Sequence, residues 1–173
     1  EYKADVALSA GVRWGTTTPK GDWITMEDVM TQCSMTYAET YVQEMTGHDL
    51  LNILEQVADN LFDPDPYLQS GGDMVRVGGL DYTINPAKKL YERITDARLD
   101  NGHLIEADQK YTVAGWAQVN RTPEGRLMWD VVRDYIVKNK GKDNVLKLPK
   151  INHPKLVGVM KDPGIADYPG EAS

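Results

Sequence analysis

A single cysteine, Cys33, among 173 residues excludes an internal disulfide framework and any metal site built from several thiolates. Positive charge is also scarce, with 19 Lys and Arg against 26 Asp and Glu and a formal net charge of −7. That balance argues against nucleic acid as a partner, because such binding needs clustered positive potential. No apolar run approaches the roughly 18 residues of a membrane span, so no membrane partner is expected. Histidine occurs three times. His48, His103 and His153 lie far apart, outside any H-x-H, H-E-x-x-H or D-x-H cluster. No G-x-S-x-G elbow, phosphate-binding P-loop or dinucleotide fingerprint occurs either. Cys33, in "TQCSMT", has neither a base nor a cationic neighbour and reads as a small packed residue. A self-contained catalytic centre is therefore not expected.

What is present suits one folded domain: 41% apolar and 26% charged residues at a length that allows a genuine core. The chain opens on Glu1, with no initiator methionine or basic-then-apolar leader, and is expected to be a piece of a longer protein. "ADVAL" alternates and predicts a strand ending at Leu8. Thr25 and Asp28 have the spacing of a helix start, with a short helix running to about Cys33. "MTYAETYVQEM" alternates as a strand. Thr46 and Asp49 repeat the capping spacing, and Leu50, Leu51, Leu54, Val57, Ala58 and Leu61 fall on one face of the helix that follows.

"DPDPYLQSGGD" is a turn-rich connection. Gly78-Gly79 breaks "MVRVGGLDYTI" into two strand pieces, at a bulge or sharp bend. Asn101-Gly102 marks a hairpin, and "YTVAGW" is a further strand. A last helix places Leu127, Met128, Val131, Val132, Tyr135 and Ile136 together, with Gly141 positioned to end it. The pattern predicts an α+β domain of mixed strands with two or three helices over residues 1–144. An extended proline-containing tail over 145–173 lies on its surface.

Chemistry-bearing residues gather in three glycine-bracketed loops. Arg13 and Trp14 lie in the first, Gly72, Asp73 and Met74 in the second, and Trp116 in the third. Each loop borders a strand, so all three are placed to converge on one sheet edge. Two readings stand at this level. In one, the arginine forks onto a tetrahedral oxyanion between tryptophan walls. In the other, the tryptophans are core residues and Arg13 is a surface charge.

The stretch "ADVALSAGVRWGTTTPKGDWITMEDVMTQCSMTYAETYVQEMTGHDLLNILE", continued by "GGDMVRVGGLDYTINP" and "IEADQKYTVAGW", resembles the C-terminal domain of the 5′-nucleotidase family. Within that superfamily it is most similar to the thiosulfohydrolases of bacterial sulfur oxidation. "RWGTT", "EQVADNLFDPDPYLQSGGDMVRVGGLDYT", "YTVAGWA" and the tail "PKLVGV…DPG" carry that likeness. The family's nucleotidases clamp a base between two phenylalanines, where this chain has Met74 and, approximately, Gln118. Its one phenylalanine, Phe62, falls on or just beyond a helix.

The resemblance implies that Arg13 binds the oxyanion, with Trp14, Gly72, Asp73, Met74 and Trp116 lining the approach. It implies a sulfonate substrate borne on a cysteine of a sulfur-carrier protein, hydrolysed to release sulfate in the periplasm. The two metal ions, manganese, would belong to an N-terminal metallophosphoesterase domain of the same protein, with none bound by this chain. This domain alone would then be inactive. The alternatives are the same domain in a nucleotidase or other phosphoester hydrolase, and a free-standing protein-binding module.

Overall fold

A computed structural model describes residues 3–10, 17–33, 37–117, 125–147 and 149–159. Among these residues, ten elements follow in chain order. They are β1 (Val6–Ser9), α1 (Met26–Cys33), β2 (Thr40–Thr46), α2 (Gly47–Phe62), β3 (Arg76–Gly78), β4 (Leu80–Ile84), β5 (Ile94–Leu99), β6 (Lys110–Trp116), α3 (Met128–Asn139) and β7 (Lys155–Leu156). The strands form a four-stranded sheet, ordered β2-β6-β1-β3, and a three-stranded sheet, ordered β5-β4-β7. In the first, β6 and β1 run parallel, while β2 and β3 are antiparallel to their neighbours.

Both sheets share one core with α2. Val6 and Leu8 of β1, Tyr111 and Val113 of β6, Leu80, Tyr82 and Ile84 of β4, and Ala97 of β5 close around Leu50, Leu54 and Ala58. The α2 residues recur every four positions, so one stripe of the helix faces inward. Fully burying each leucine contributes roughly 1.5–3 kcal/mol. The start of α2 is fixed by reciprocal bonds. Asp49 N–H donates to the Thr46 hydroxyl at 3.1 Å, and Thr46 N–H donates to the Asp49 carboxylate at 3.3 Å. Thr25 and Asp28 make the corresponding pair at α1.

Two features of α2 lie outside its apolar pattern. Glu55 is buried on the inner side, where its carboxylate accepts the N–H groups of Tyr91 (2.9 Å) and Ile94 (2.6 Å). Arg93, only 2% exposed, donates to Asp59 at 2.6 Å and to the Phe62 carbonyl at 3.3 Å. The helix is thereby tied to the segment that enters β5 through groups that cannot be left unpaired in the interior.

Gly78-Gly79 is a change of sheet as well as a bend. β3 edges the four-stranded sheet, whereas β4 is the middle strand of the other. Gly79 makes the switch at φ +78°, and a Cβ there would meet the Asp5 carbonyl oxygen at 2.5 Å. At Asn101-Gly102 the expected turn forms, but its return limb pairs only through the Arg98–Leu104 bridge. Helix α3 ends at Asn139, before Gly141. It is Asn144, not Gly141, that takes the left-handed backbone conformation in the turn that follows.

The tail segment 149–159 is attached more firmly than a loose covering strand. β7 pairs in parallel with β4. Asn152 accepts the Gly79 N–H and donates to Asp81 and Asp100, while Lys150 bridges the same two carboxylates at 2.9 and 2.7 Å.

Candidate functional site

The strand registers bring four chain ends to one edge of the larger sheet. Leu8 pairs with Gly115, Ser9 with Arg76, and Thr40 with Trp116. β1 and β6 therefore finish there side by side, while β2 and β3 begin there. The chain leaving β1 at Ala10, the chain leaving β6 at Ala117 and the chain entering β3 through 71–75 all meet this edge.

Arg13 and Trp14 lie outside the described residues, as does Gln118. Gly72 is exposed, with open space where a Cβ would sit. Asp73, also exposed, pairs with Arg76 at 3.5 Å, an ion pair worth little in open solvent. Met74 is half-buried and packs against the main core, and its carbonyl accepts from Arg76 at 3.2 Å. Trp116 is 7% exposed, so its ring is largely covered, and its indole N–H donates to the Ser9 hydroxyl at 2.9 Å. Ser9 in turn donates to the Ala10 carbonyl at 3.0 Å.

Beside them, the Tyr41 hydroxyl occupies the place that a side chain at position 115 would need, 2.5 Å from its Cβ. Glycine at 115 is what admits it, and burial pushes the Tyr41 phenol pKa up, so it stays a neutral hydroxyl. Ser9, Tyr41 and Arg76 were not singled out in the sequence. Only their pairing across strands distant in sequence reveals them, and no local motif marks it.

Among the described residues, the edge offers the Ser9 hydroxyl, the Tyr41 hydroxyl and an arginine already paired with Asp73. Cys33 is buried and its thiol pKa is raised by desolvation, the opposite of an activated thiolate. Among the described residues, no group of three or more His, Cys, Asp or Glu side chains is gathered to hold a metal ion. No helix among them is long and apolar enough to cross a membrane.

With this geometry in place, comparison fixes the class. The model of the 5′-nucleotidase C-terminal domain matches residues 1–122, and the chain belongs to that family. Among solved structures, it is similar to the sulfate thiohydrolase SoxB of Thermus thermophilus, with a TM-score of 0.77 and 28% identity. That match covers 91% of this chain and 30% of the other. A 5′-nucleotidase precursor, also of Thermus thermophilus, matches with a TM-score of 0.69 and 18% identity, over 91% of this chain and 32% of that one. A putative 5′-nucleotidase of Staphylococcus aureus gives 0.63 and 18%, over 88% and 33%. The chain thus spans about a third of the length of these structures. None of the curated proteins matches it. At 18% identity the two nucleotidase structures speak for the fold alone.

Proposed function

We propose that this chain is the substrate-recognition domain of a thiosulfohydrolase that acts on a sulfonate carried by a cysteine of a carrier protein. The observation that carries the reading is the 28% identity to a sulfate thiohydrolase over 91% of the chain, against 18% to the nucleotidases. The chemistry of the edge supports it. Phe62, the only phenylalanine, ends α2 and packs against the core, and Trp116 has its ring covered. Neither of these rings offers an open face to a base, and stacking of roughly 1–3 kcal/mol per base is lost where a ring is covered. A sulfonate needs no such faces.

In this reading, Arg13 forks onto the sulfonate oxygens and offsets the charge that grows as sulfate forms. Water's oxygen joins the sulfonate sulfur and the sulfur–sulfur bond breaks. The carrier sulfur keeps the electron pair and takes up a proton. Two metal ions, manganese on this reading, would sit in a metallophosphoesterase domain N-terminal to this one and supply the activated water. A periplasmic site of action belongs to the same proposal.

The test is turnover by the full-length protein, with manganese, of a carrier S-sulfonate and of AMP in parallel. Release of sulfate without hydrolysis of AMP supports the reading, and hydrolysis of AMP alone overturns it. Within the active protein, Arg13→Ala should lower kcat/KM by an amount equivalent to about 2–4 kcal/mol, as for other oxyanion donors. An unchanged rate would make Arg13 a surface charge.

A further inference from the structure

We propose that Tyr41 is a substrate-binding residue, whose hydroxyl donates to an oxyanion oxygen at the edge from a place that Gly115 leaves open. The identity of that substrate rests on the functional reading above; the geometry does not.

Alternation along β6 puts Gly115 on the side of the sheet where Tyr111 and Val113 meet the core. Tyr41 stands opposite it on β2, and Leu8 opposite it on β1. The Tyr41 ring lies across the glycine, with its hydroxyl and Cζ 2.5 and 2.6 Å from where a Cβ at 115 would stand. The Leu8 carbonyl oxygen is 2.9 Å from the same point, so the hydroxyl is carried to the junction of β6 and β1. A glycine inside a strand weakens it, and commonly marks the close approach of another group. Here that group is a phenol.

A tyrosine hydroxyl withdrawn from bulk water ordinarily finds a partner. Tyr111, on the same strand as Gly115 and 3% exposed, follows the rule by accepting the Glu106 N–H at 2.9 Å. Half-buried Tyr41 does not, because among the described residues its hydroxyl makes no hydrogen bond. Phenylalanine would fill the same space, so packing leaves the hydroxyl unexplained. Burial raises the phenol pKa, and the group remains a proton donor across the neutral range. A neutral O–H held at a strand end suits an acceptor oxygen that arrives with a ligand. The sulfonate of the proposed substrate and the sulfate it becomes both present such oxygens, as a phosphate would. Hydrogen bonds to a charged oxygen are among the stronger ones. Since substrate and product both accept it, the bond strengthens binding and leaves the chemical step alone.

The experiment compares the full-length parent with Tyr41→Phe, Gly115→Ala and Tyr111→Phe. KM and kcat are read on the carrier S-sulfonate, beside calorimetric binding of sulfate and the melting temperature. Tyr41→Phe keeps the ring, and should raise KM and weaken sulfate binding about ten- to a hundredfold, the loss of one hydrogen bond to a charged oxygen. Its kcat and melting temperature should stay near those of the parent. Gly115→Ala displaces the hydroxyl and should weaken sulfate binding as much. Tyr111→Phe, which removes a structural bond, should lower the melting temperature and leave sulfate binding intact. Parent-like sulfate binding in Tyr41→Phe overturns the proposal, as does a melting temperature that falls while KM stays. If the parent hydrolyses AMP alone, the functional reading fails, and phosphate replaces sulfate in the same comparison. If it hydrolyses neither, that reading fails too and sulfate binding decides. A loss in Tyr41→Phe then supports the contact, while no loss, or no binding by the parent, overturns it.

Discussion

In α2, Leu50, Leu54 and Ala58 are fully covered, and Thr46 caps the first turn. In α3, no side chain is buried and no side chain caps the start, although its apolar residues recur with the same helical spacing. Leu127, Met128, Val131, Val132 and Ile136 are half-covered, and Tyr135 is 42% exposed. What holds α3 is different in kind. Met128 N–H donates to the Ala38 carbonyl, Leu127 bridges Glu39, and Arg126, Arg133, Asp130 and Asp134 pair along the exposed side. Exposed ion pairs of this sort add little stability. Periodicity thus reveals which side of a helix is apolar, while only the packing decides how much that side contributes.

The contrast can be broken most directly by truncating one side chain in each helix. Leu54→Ala should cost about 2–5 kcal/mol in denaturant unfolding. Val132→Ala, on a half-covered face, should cost less than about 1 kcal/mol, since only part of a side chain's transfer energy is at stake. Equal losses would mean that α3 is as central as α2. Next in size is the cap: Thr46→Ala should cost about 1 kcal/mol, because Asp49 N–H loses its acceptor. Substituting Leu127, which makes no side-chain cap bond, should leave the start of α3 intact by circular dichroism.

The smallest expected effect concerns the tail. Hydrogen bonds from Lys150 and then Asn152 hold the Asp81 and Asp100 carboxyls below their ordinary value of 3.8. A depressed folded-state pKa stabilises the attached tail above the unfolded value, and that contribution is lost as pH falls through the lowered one. Lys150 is shifted upward by the same partners, so its contribution holds below about 10.5 and disappears only at more alkaline pH. Limited proteolysis should therefore find segment 149–159 protected at neutral pH and released below the carboxylate range. Lys150→Ala should weaken the protection at pH 7, and protection equal to the parent's would rule out this pairing as its source.

Local structure was legible wherever the cause was local. The Thr-x-x-Asp spacing at 25–28 and 46–49 marked both helix starts, and alternation marked β1 and β2. Partnership was not legible. Glu55 sits among apolar residues in the sequence, and nothing local says that two N–H groups 36 and 39 residues later need its carboxylate. Gly78-Gly79 announces a bend, but the change of sheet depends on which strands stand on either side. Trp116 shows the same limit at the candidate site, because a tryptophan after a strand serves equally as a wall or as a brace until its N–H partner is known.

The pairing of β1 also bears on the order in which the domain is made. Both of its neighbours, β3 and β6, lie later in the chain, and the register with β6 links residues 107 positions apart. Contacts so distant in sequence close slowly, because the intervening loop must be ordered before they repay it. On the ribosome, β1 waits with one edge open until β3 emerges and with the other until β6 does. β6 brings Tyr111 and Val113 to the core and Trp116 to the candidate edge, so core and edge close together when that late strand is added.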